Sequence, residues 1–445
     1  MKRILIILLL LIVSWAKGQE NLSVMQAIEN ALEKNYQIKL IRGNYEVAEL
    51  QNSWGQAGLY PTFSLNLANN ASIQDNTNNP ATFFPGVLFS DNLQGSLDMS
   101  WTIFSGFGIR INKQRFEKLQ EQTAGNAVVV IESTIYDIIL AYYTAVVQER
   151  KLAVLKSLLQ YSKDKLNYYR LKSDLGVSSS IDLLQFENQM LTDSTNVLLQ
   201  DLSVRNSKRN LNLIMGEDVE LLYNLSDSLA FQTPATTYEE LKRNMLSNNQ
   251  NLKNQFMNYE LMELDVQTKK SAFYPVVTLR LSTNPSVGYF ELFGDQGFSA
   301  NTNSWSHTAT VNLRYDLFQG MNRKRNVQIA EIQRDLAGIE IEQLKMQLSH
   351  QLRGNFELYQ TRSKVEKISK KRLFHAQQLW DIGKDRYDMG LINIFNLNDI
   401  KLSYEQAVLN YYDRLFELLQ THYDLMRLTG RLSQKYDIPN QIDQD

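Results

Sequence analysis

The chain switches between two hydrophobic periods, and the switch points divide it into segments. Leu22 to Gly58 carries apolar residues at helical spacing and stops at Tyr60-Pro61, where proline ends a helix. The period then drops to two. Phe63, Leu65 and Leu67 alternate with Ser64, Asn66 and Ala68; on the return, Leu93, Leu97, Met99, Trp101 and Ile103 alternate with Gln94, Ser96, Asp98, Ser100 and Thr102. Past Gly106 helical spacing resumes and runs to Gly176 without a proline. At 1.5 Å per residue such a helix reaches roughly 100 Å. Ile131, Ile135, Ile138, Tyr142, Ala145, Leu152, Leu155 and Leu159 follow a rhythm of three and four, interrupted by Glu149. That narrow seam predicts coiled-coil packing against other long helices.

The whole pattern occurs twice. Tyr60-Pro61 returns as Tyr274-Pro275, Phe104-Ser105-Gly106 as Phe318-Gln319-Gly320, Gly176 as Gly390, Gly216 as Gly430 and Asn35 as Asn249, every pair 214 positions apart. The chain therefore reads as a tandem duplication. Residues 19–216 and 237–430 are the expected repeats, each helix, β-hairpin, long helix, helix. Residues 217–236 are the expected linker, and 431–445 the expected polar C-terminal tail. The second hairpin keeps the parity of the first: Val277, Leu279, Leu281, Val311, Leu313, Tyr315 and Leu317 alternate with Thr278, Arg280, Ser282, Asn312, Arg314 and Asp316.

Four strands of about ten residues, apolar on one face, have the length of tilted membrane-crossing strands. Tyr60, Trp101, Phe104, Tyr274, Tyr315 and Phe318 gather at one end. Phe83, Phe84, Phe89, Tyr289, Phe290, Phe293 and Phe298 are expected in the connections at the other. Two aromatic girdles around an apolar band fit a membrane barrel better than a soluble sheet. Four strands cannot close, and open edges are forbidden in hydrocarbon, so copies must pool strands. Two chains give the smallest barrel; three give twelve strands and room for a lumen.

Composition narrows the class. Lys2-Arg3, an apolar run from Ile4 to Val13 and small residues around Ala16 and Gly18 read as a secretory signal over residues 1–18, too short to span a bilayer. Loss of Lys2, Arg3 and Lys17 takes the net charge from −2 to −5, which gives no reason to expect nucleic acid. With no cysteine, thiol catalysis, thiolate metal sites and a lipidated N-terminus are excluded. His307, His350, His375 and His422 are scattered without ligand spacing, and no later stretch reaches eighteen consecutive apolar residues. No serine–histidine–acid assembly is discernible, so neither an enzyme nor a cofactor nor a metal site is expected.

The ordered set Leu22-Ser23, Ala27, Ala31-Leu32, Asn35, Tyr60-Pro61, Phe104-Ser105-Gly106, Gly176 with Asp182, and Gly216 resembles the TolC-like outer membrane efflux protein family. The resemblance covers nearly the whole exported chain, in both halves. It implies a mostly α-helical protomer contributing four strands to a transmembrane β-barrel. The assembly would be a homotrimer with a 12-stranded barrel and a helical tunnel, in the bacterial outer membrane with a periplasmic extension. It also implies passive conduction of substrates received from a periplasmic adaptor (membrane fusion) protein and a resistance-nodulation-division or ABC transporter of the inner membrane.

The resemblance assigns roles near the helix turns. Leu175-Gly176-Val177 and Gly390-Leu391 match adaptor-contacting turns, although a glycine C-cap between antiparallel helices accounts for the same residues. Tyr387 matches a gate tyrosine and Asp182 its carboxylate partner, so a Tyr387–Asp182 hydrogen bond is expected. Asn396 stands where the family has a second aspartate, and Asp399 follows. Three Asp399 carboxylates would attract cations at a tunnel mouth, while an acid near a helix start is equally explained by the helix dipole. Ile392 occupies the place of a family arginine, which weakens the implied lock. Ser105-Gly106-Phe107-Gly108 looks like half a dinucleotide fingerprint but reads better as a strand-to-helix joint. Arg110, Lys113, Arg115, Arg323, Lys324 and Arg325 follow the hairpins, beside lipid headgroups or on a solvated helix face. The rival reading is an exported coiled-coil scaffold or adhesin without a pore.

Overall fold

The computed structural model describes residues 20–83, 85–175, 180–229, 237–294 and 297–436. The expected signal (1–18), Phe84, Gly176, Val177, the end of the linker (230–236) and the end of the tail (437–445) lie outside the described residues. The elements run β1 (Glu20–Leu22), α1 (Val24–Lys34), α2 (Tyr36–Gln51), β2 (Thr62–Asp75), β3 (Val87–Ser105), α3 (Gly108–Asp174), α4 (Ser180–Met215), β4 (Tyr223–Leu225), α5 (Tyr238–Asn248), α6 (Gln250–Ser271), β5 (Val276–Phe293), β6 (Phe298–Arg314), α7 (Asn322–Asp388), α8 (Ile394–Leu428) and α9 (Arg431–Lys435). They form two compact units. One comprises residues 1–44, 124–254 and 342–445; the other comprises 45–123 and 255–341.

The second unit holds an antiparallel sheet in the order β2-β3-β5-β6. Its register joins the two hairpins in one parity. Phe63 pairs with Met99, Met99 with Leu281 and Leu281 with Ala309; Leu65, Leu97, Thr283 and His307 form the next row. Directly paired residues share a face, so the odd-numbered positions gather the apolar side chains. The other face is polar, and Asp98 there accepts from the Ser96 and Ser282 hydroxyls at 2.6 Å each. A bulge between Thr102 and Phe104 departs from the expected alternation. Ile103 becomes the extra residue, and Phe104 moves onto the apolar face opposite Val277.

The strands are longer than the ten residues expected: 14, 19, 18 and 17. Backbone pairing continues past the apolar rows into rows such as Ala71-Asp91-Tyr289-Asn301, where it still satisfies backbone groups between neighbouring strands. Phe89, Tyr289, Phe290, Phe293 and Phe298 consequently lie in strands and not in connections. At the opposite end the chain passes into α3 through Gly106 (φ +61°) and Phe107 (φ +68°), and into α7 through Gly320 (φ +58°) and Met321 (φ +62°). A Cβ on Gly106 would stand 2.4 Å from the Ser271 carbonyl oxygen, so only glycine fits. Nearby cations brace these joints: Lys113 donates to Asn52 and Glu117 at 2.6 Å, and Arg325 to the Gly320 carbonyl at 2.9 Å.

Among its described residues the first unit has helices and two short strands, β1 and β4, which pair in parallel. Part of the expected linker is thus a strand. Tyr142 of α3 ties it down, donating to the Leu22 carbonyl at 2.8 Å and accepting from the Asp227 amide at 3.1 Å. The core gathers Ala27, Ile28 and Ile38 with Ile131, Ile135, Ile138, Ile139 and Tyr142 of α3, Leu211 and Met215 of α4, and Leu419 of α8. Among the described helices only α3 has an 18-residue window apolar enough to cross a bilayer, and 61% of that window is buried inside the protein. Leu432 and Tyr436 join the same core, so the stretch expected as a polar tail begins as a docked helix.

Two of the repeated landmarks meet here. Asn35 donates to the Ile214 carbonyl at 2.6 Å and accepts from the Gln37 and Ile38 amides; Asn249 donates to the Leu428 carbonyl at 3.0 Å and accepts from the Leu252 amide. Gly216 and Gly430, both with positive φ, pass so close to the Lys34 and Asn248 carbonyls that a Cβ would stand 2.6 Å away. Each asparagine caps the start of one helix while closing the end of another.

Glu132 of α3 is buried, and its Oε1 has no hydrogen-bond partner. Burial pushes its carboxyl up to about 7, against a backbone bond from Ser433 and the charge of Arg427. A carboxyl that holds its proton more tightly in the folded chain costs stability as pH rises from 4.5 through 7. Glu132→Gln keeps the shape without the charge. Thermal melts should show the variant more stable than wild type at pH 8, by up to about 3 kcal/mol, with the difference vanishing near pH 4.5.

Candidate functional site

The residues singled out by sequence lie around the turn between α7 and α8 and the facing ends of α3 and α4. α7 stops because Gly390 adopts φ +74°. The Gly390 amide donates to the Tyr387 carbonyl at 3.0 Å and the Leu391 amide to the Arg386 carbonyl at 2.8 Å, which is a Schellman closure. Asn393 then caps α8, its side chain accepting from the Asn396 amide at 2.9 Å. The loop leaves Met389 and Leu391 exposed, as Leu175 is at the end of α3.

Tyr387 points inward. Its ring packs with Phe186 and Tyr169, and its hydroxyl donates to the Tyr169 hydroxyl at 2.7 Å. A phenol has one proton, so the expected bond to Asp182 is not made within the chain. Tyr169, stacked on Phe186 with ring centroids 5.0 Å apart, occupies that place. Burial, the Tyr169 bond and more weakly the Asp182 charge all push the Tyr387 hydroxyl pKa up, so it stays a donor. Asp182 lies in the first turn of α4. Ile392 packs against the Tyr387 cluster. Asn396 and Asp399 are exposed, on the face of α8 opposite Ile394, Leu397 and Lys401.

A second group was missed by sequence reasoning. Lys401 (3% exposed) forms a buried ion pair with Asp193 (3%) and donates to the Ser162 hydroxyl (1%) at 3.0 Å. Ser162 donates to the same Asp193 oxygen at 2.6 Å, and Gln189 donates to the other at 2.9 Å. Three helices, α3, α4 and α8, meet at this knot. Burial pulls the Lys401 pKa below its ordinary value, and Asp193 opposes that pull. The signal was present in the spacing: Ile394, Leu397, Lys401, Tyr404 and Val408 step by three and four, with a charge on a seam position. Around the knot, Tyr161 meets Trp380 edge-on with centroids 4.9 Å apart, Lys165 pairs with Asp388, and Lys151 pairs with Asp413 at 2.6 Å.

None of these groups is arranged for catalysis, and among the described residues no cluster of histidines and acids could hold a metal. The profile of the outer membrane efflux protein family matches residues 27–217 and again residues 241–431. The chain belongs to that family. As a member of an efflux family it is a transport protein of the outer membrane and not an enzyme. Similar folds include CusC (TM-score 0.73, 14% identity, 94% of each chain covered) and the CmeC outer membrane channel of Campylobacter jejuni (TM-score 0.73, 15% identity, 95% of this chain and 90% of that one). The open-state MtrE outer membrane channel of Neisseria gonorrhoeae is also similar (TM-score 0.68, 15% identity, 92% and 88% covered). No match is found among curated protein sequences. The family thus retains a fold at low identity, and the tip chemistry of this efflux protein must be read from its own residues.

Two substitutions separate the polar groups by cost. Tyr387→Phe removes one hydroxyl bond and should cost about 1 kcal/mol in chemical denaturation. Lys401→Met strands the buried Asp193 carboxylate and should cost about 3–5 kcal/mol.

Proposed function

We propose that three copies of this chain form an outer-membrane exit duct, a shared twelve-stranded barrel with a periplasmic helical tunnel. It conducts passively what a periplasmic adaptor and an inner-membrane pump, of the resistance-nodulation-division or ABC type, deliver. The supporting observation is the four-stranded sheet with two bare edges. β2 and β6 each pair on one side only; β2 is exposed along its whole length and β6 at every residue but Ala300. Unpaired backbone groups are not tolerated in hydrocarbon, so β6 of one copy must meet β2 of the next. The apolar rows from Phe104-Val277-Leu313 to Leu93-Val287 cover about ten residues of strand. At ~3.3 Å per residue and a tilt near 40°, that is roughly 25 Å of height, the apolar band of such barrels.

The helices support a ring independently. Leu184, Leu191, Leu198 and Leu202 form an exposed seam on α4; Ile368, Leu379 and Ile382 form another on α7. Two different unpaired seams on one chain suit a head-to-tail cyclic contact. In this reading residues 1–18 are the export signal, and the repeats span 19–216 and 237–430. Leu175-Gly176-Val177 and Gly390-Leu391 meet the adaptor. Asp182, Tyr387, Asn396 and Asp399 form the gate, with Tyr387 acting through Tyr169 and Asp399 contributing a ring of three carboxylates.

Mass measurement on detergent-solubilised protein should find a trimer retained with the outer membrane after a carbonate wash. A monodisperse monomer with full β-content removes the reading. Within that trimer, Leu97→Arg places a cation on the lipid face at a cost of about 2–4 kcal/mol and should block assembly. Ser96→Arg faces water and should assemble normally; equal yields would mean that the faces are reversed.

A further inference from the structure

We propose that each chain carries two sites for an anionic phospholipid of the inner leaflet, at the joints where β3 passes into α3 and β6 into α7. This rests on the membrane-spanning duct reading above. The apolar face of the sheet does not stop at its last row, Phe104-Val277-Leu313. Phe107 meets Phe104 edge-on with ring centroids 5.5 Å apart, and Tyr274 at 5.7 Å, so apolar surface continues onto the first joint. Arg110 stands three residues further, in the first turn of α3. At about 5.4 Å per turn it lies one turn beyond the edge of the hydrocarbon, within the headgroup layer of roughly 5–8 Å on each side of a bilayer.

Both joints hold a bulky side chain in a backbone conformation that bulky side chains avoid. Phe107 has φ +68° and its repeat counterpart Met321, 214 positions on, has φ +62°. Glycine or asparagine is the ordinary occupant of that region. Such strain persists where something besides folding selects the residue. Packing of the core is not the reason, since Phe107 is 58% exposed and Met321 60%. What the strain does achieve, in both repeats, is an exposed apolar knob at the edge of the membrane band.

The charges beside the knobs are unspent. Arg110 and its repeat counterpart Lys324 are exposed and make no hydrogen bond or ion pair among the described residues. The acids nearest along the chain are taken: Glu117 by Lys113, Asp316 by Arg314 and Glu331 by Lys270. Nor do the two cations serve the helices they sit on, because a helix start carries partial positive charge and favours acids. A phosphodiester seated here meets Arg110 or Lys324, while its acyl chains lie along Phe104 and Phe107, or along Phe318 and Met321. The first turns of α3 and α7 hold no carboxylate to receive an ammonium, so an anionic headgroup fits better than a zwitterionic one. In the ring the second site borders the next copy, since β6 is an edge strand.

The test counts lipids on delipidated, detergent-solubilised trimer by native mass spectrometry, during titration with phosphatidylglycerol or phosphatidylethanolamine. Two sites in each of three chains should give about six phosphatidylglycerols per trimer, bound ahead of phosphatidylethanolamine. Arg110→Gln with Lys324→Gln should weaken phosphatidylglycerol about fivefold at each site and leave phosphatidylethanolamine unchanged. Arg280→Gln, which removes an exposed cation from the polar face of the sheet, should change neither. Phe107→Asn with Met321→Asn should melt no lower than wild type, because asparagine accepts positive φ, and should still weaken phosphatidylglycerol. Soluble glycerophosphoglycerol should not compete; displacement by it overturns the proposal, since the site would then take a phosphate without its acyl chains. Equal affinity of wild type for the two lipids overturns it as well. So does unchanged phosphatidylglycerol binding in either double variant, or an equal loss in Arg280→Gln. The duct reading fails separately: a monomer, or protein released by a carbonate wash, has no barrel for lipid to border, and the sites fall with it. An intact trimer that does not prefer phosphatidylglycerol removes the lipid sites alone.

Discussion

A helix of 67 residues has to be covered along its length, and the helical unit of this protein depends on how α3 is covered. Helix propensity alone cannot hold so long an element in one place; tertiary packing of a narrow stripe does. α3 meets α1, α2 and α4 at one level, where Ile131, Ile135 and Ile138 are fully buried, and α7 and α8 at another, where Leu158 and Leu166 pack beside Trp380 and Leu397. Because both clusters lie on one helix, a change in the contacts at the turns is opposed by the packing of the rest of the rod. The asparagine and glycine landmarks that recur in both halves fix the ends of the shorter helices to this frame.

Duplication gives the protein two copies of each surface but not two copies of each interaction. Apolar seam positions survive in both halves because any bulky aliphatic side chain serves there. Polar fastenings do not survive, since each needs several matched groups at once. Ser162, Asp193 and Lys401 come from three helices and both repeats, and their counterparts Ala376, Ala407 and Glu187 cannot rebuild the arrangement. Tyr169 and Tyr387 show the same economy at the turns, with Gly383 and Ser173 in the mirrored places.

The sheet answers a different physical demand. Its ladder joins β2, β3, β5 and β6 in one antiparallel sheet, and its odd-numbered face carries Leu65, Leu97, Leu279 and Val311. The bulge at Ile103 preserves that apolar face at the strand-to-helix joint by bringing Phe104 round to it. Beyond the apolar rows the same face continues with Asp91, Glu291 and Asn301, so strand length and the length of the apolar band are separate quantities here.

Much of the architecture was written in the sequence because it depends on local rules. Period two or period three-and-four, proline at Tyr60-Pro61, positive-φ glycines and a constant 214-residue offset yield elements, faces and the tandem order with no knowledge of contacts. The parity of the strands held residue by residue up to the bulge, which no alternation predicts because it is one inserted residue. The tip was less legible. Spacing and resemblance placed Tyr387 and Asp182 near one another, yet the hydroxyl went to Tyr169, since the nearer ring stacked on Phe186 wins a single proton. The Lys401 knot left only the trace of charges on seam positions, and which partners neutralise them is a matter of three helices meeting. Local periodicity is a property of the chain; the pairing of buried polar groups exists only once distant segments share one space, and there tertiary structure alone decided.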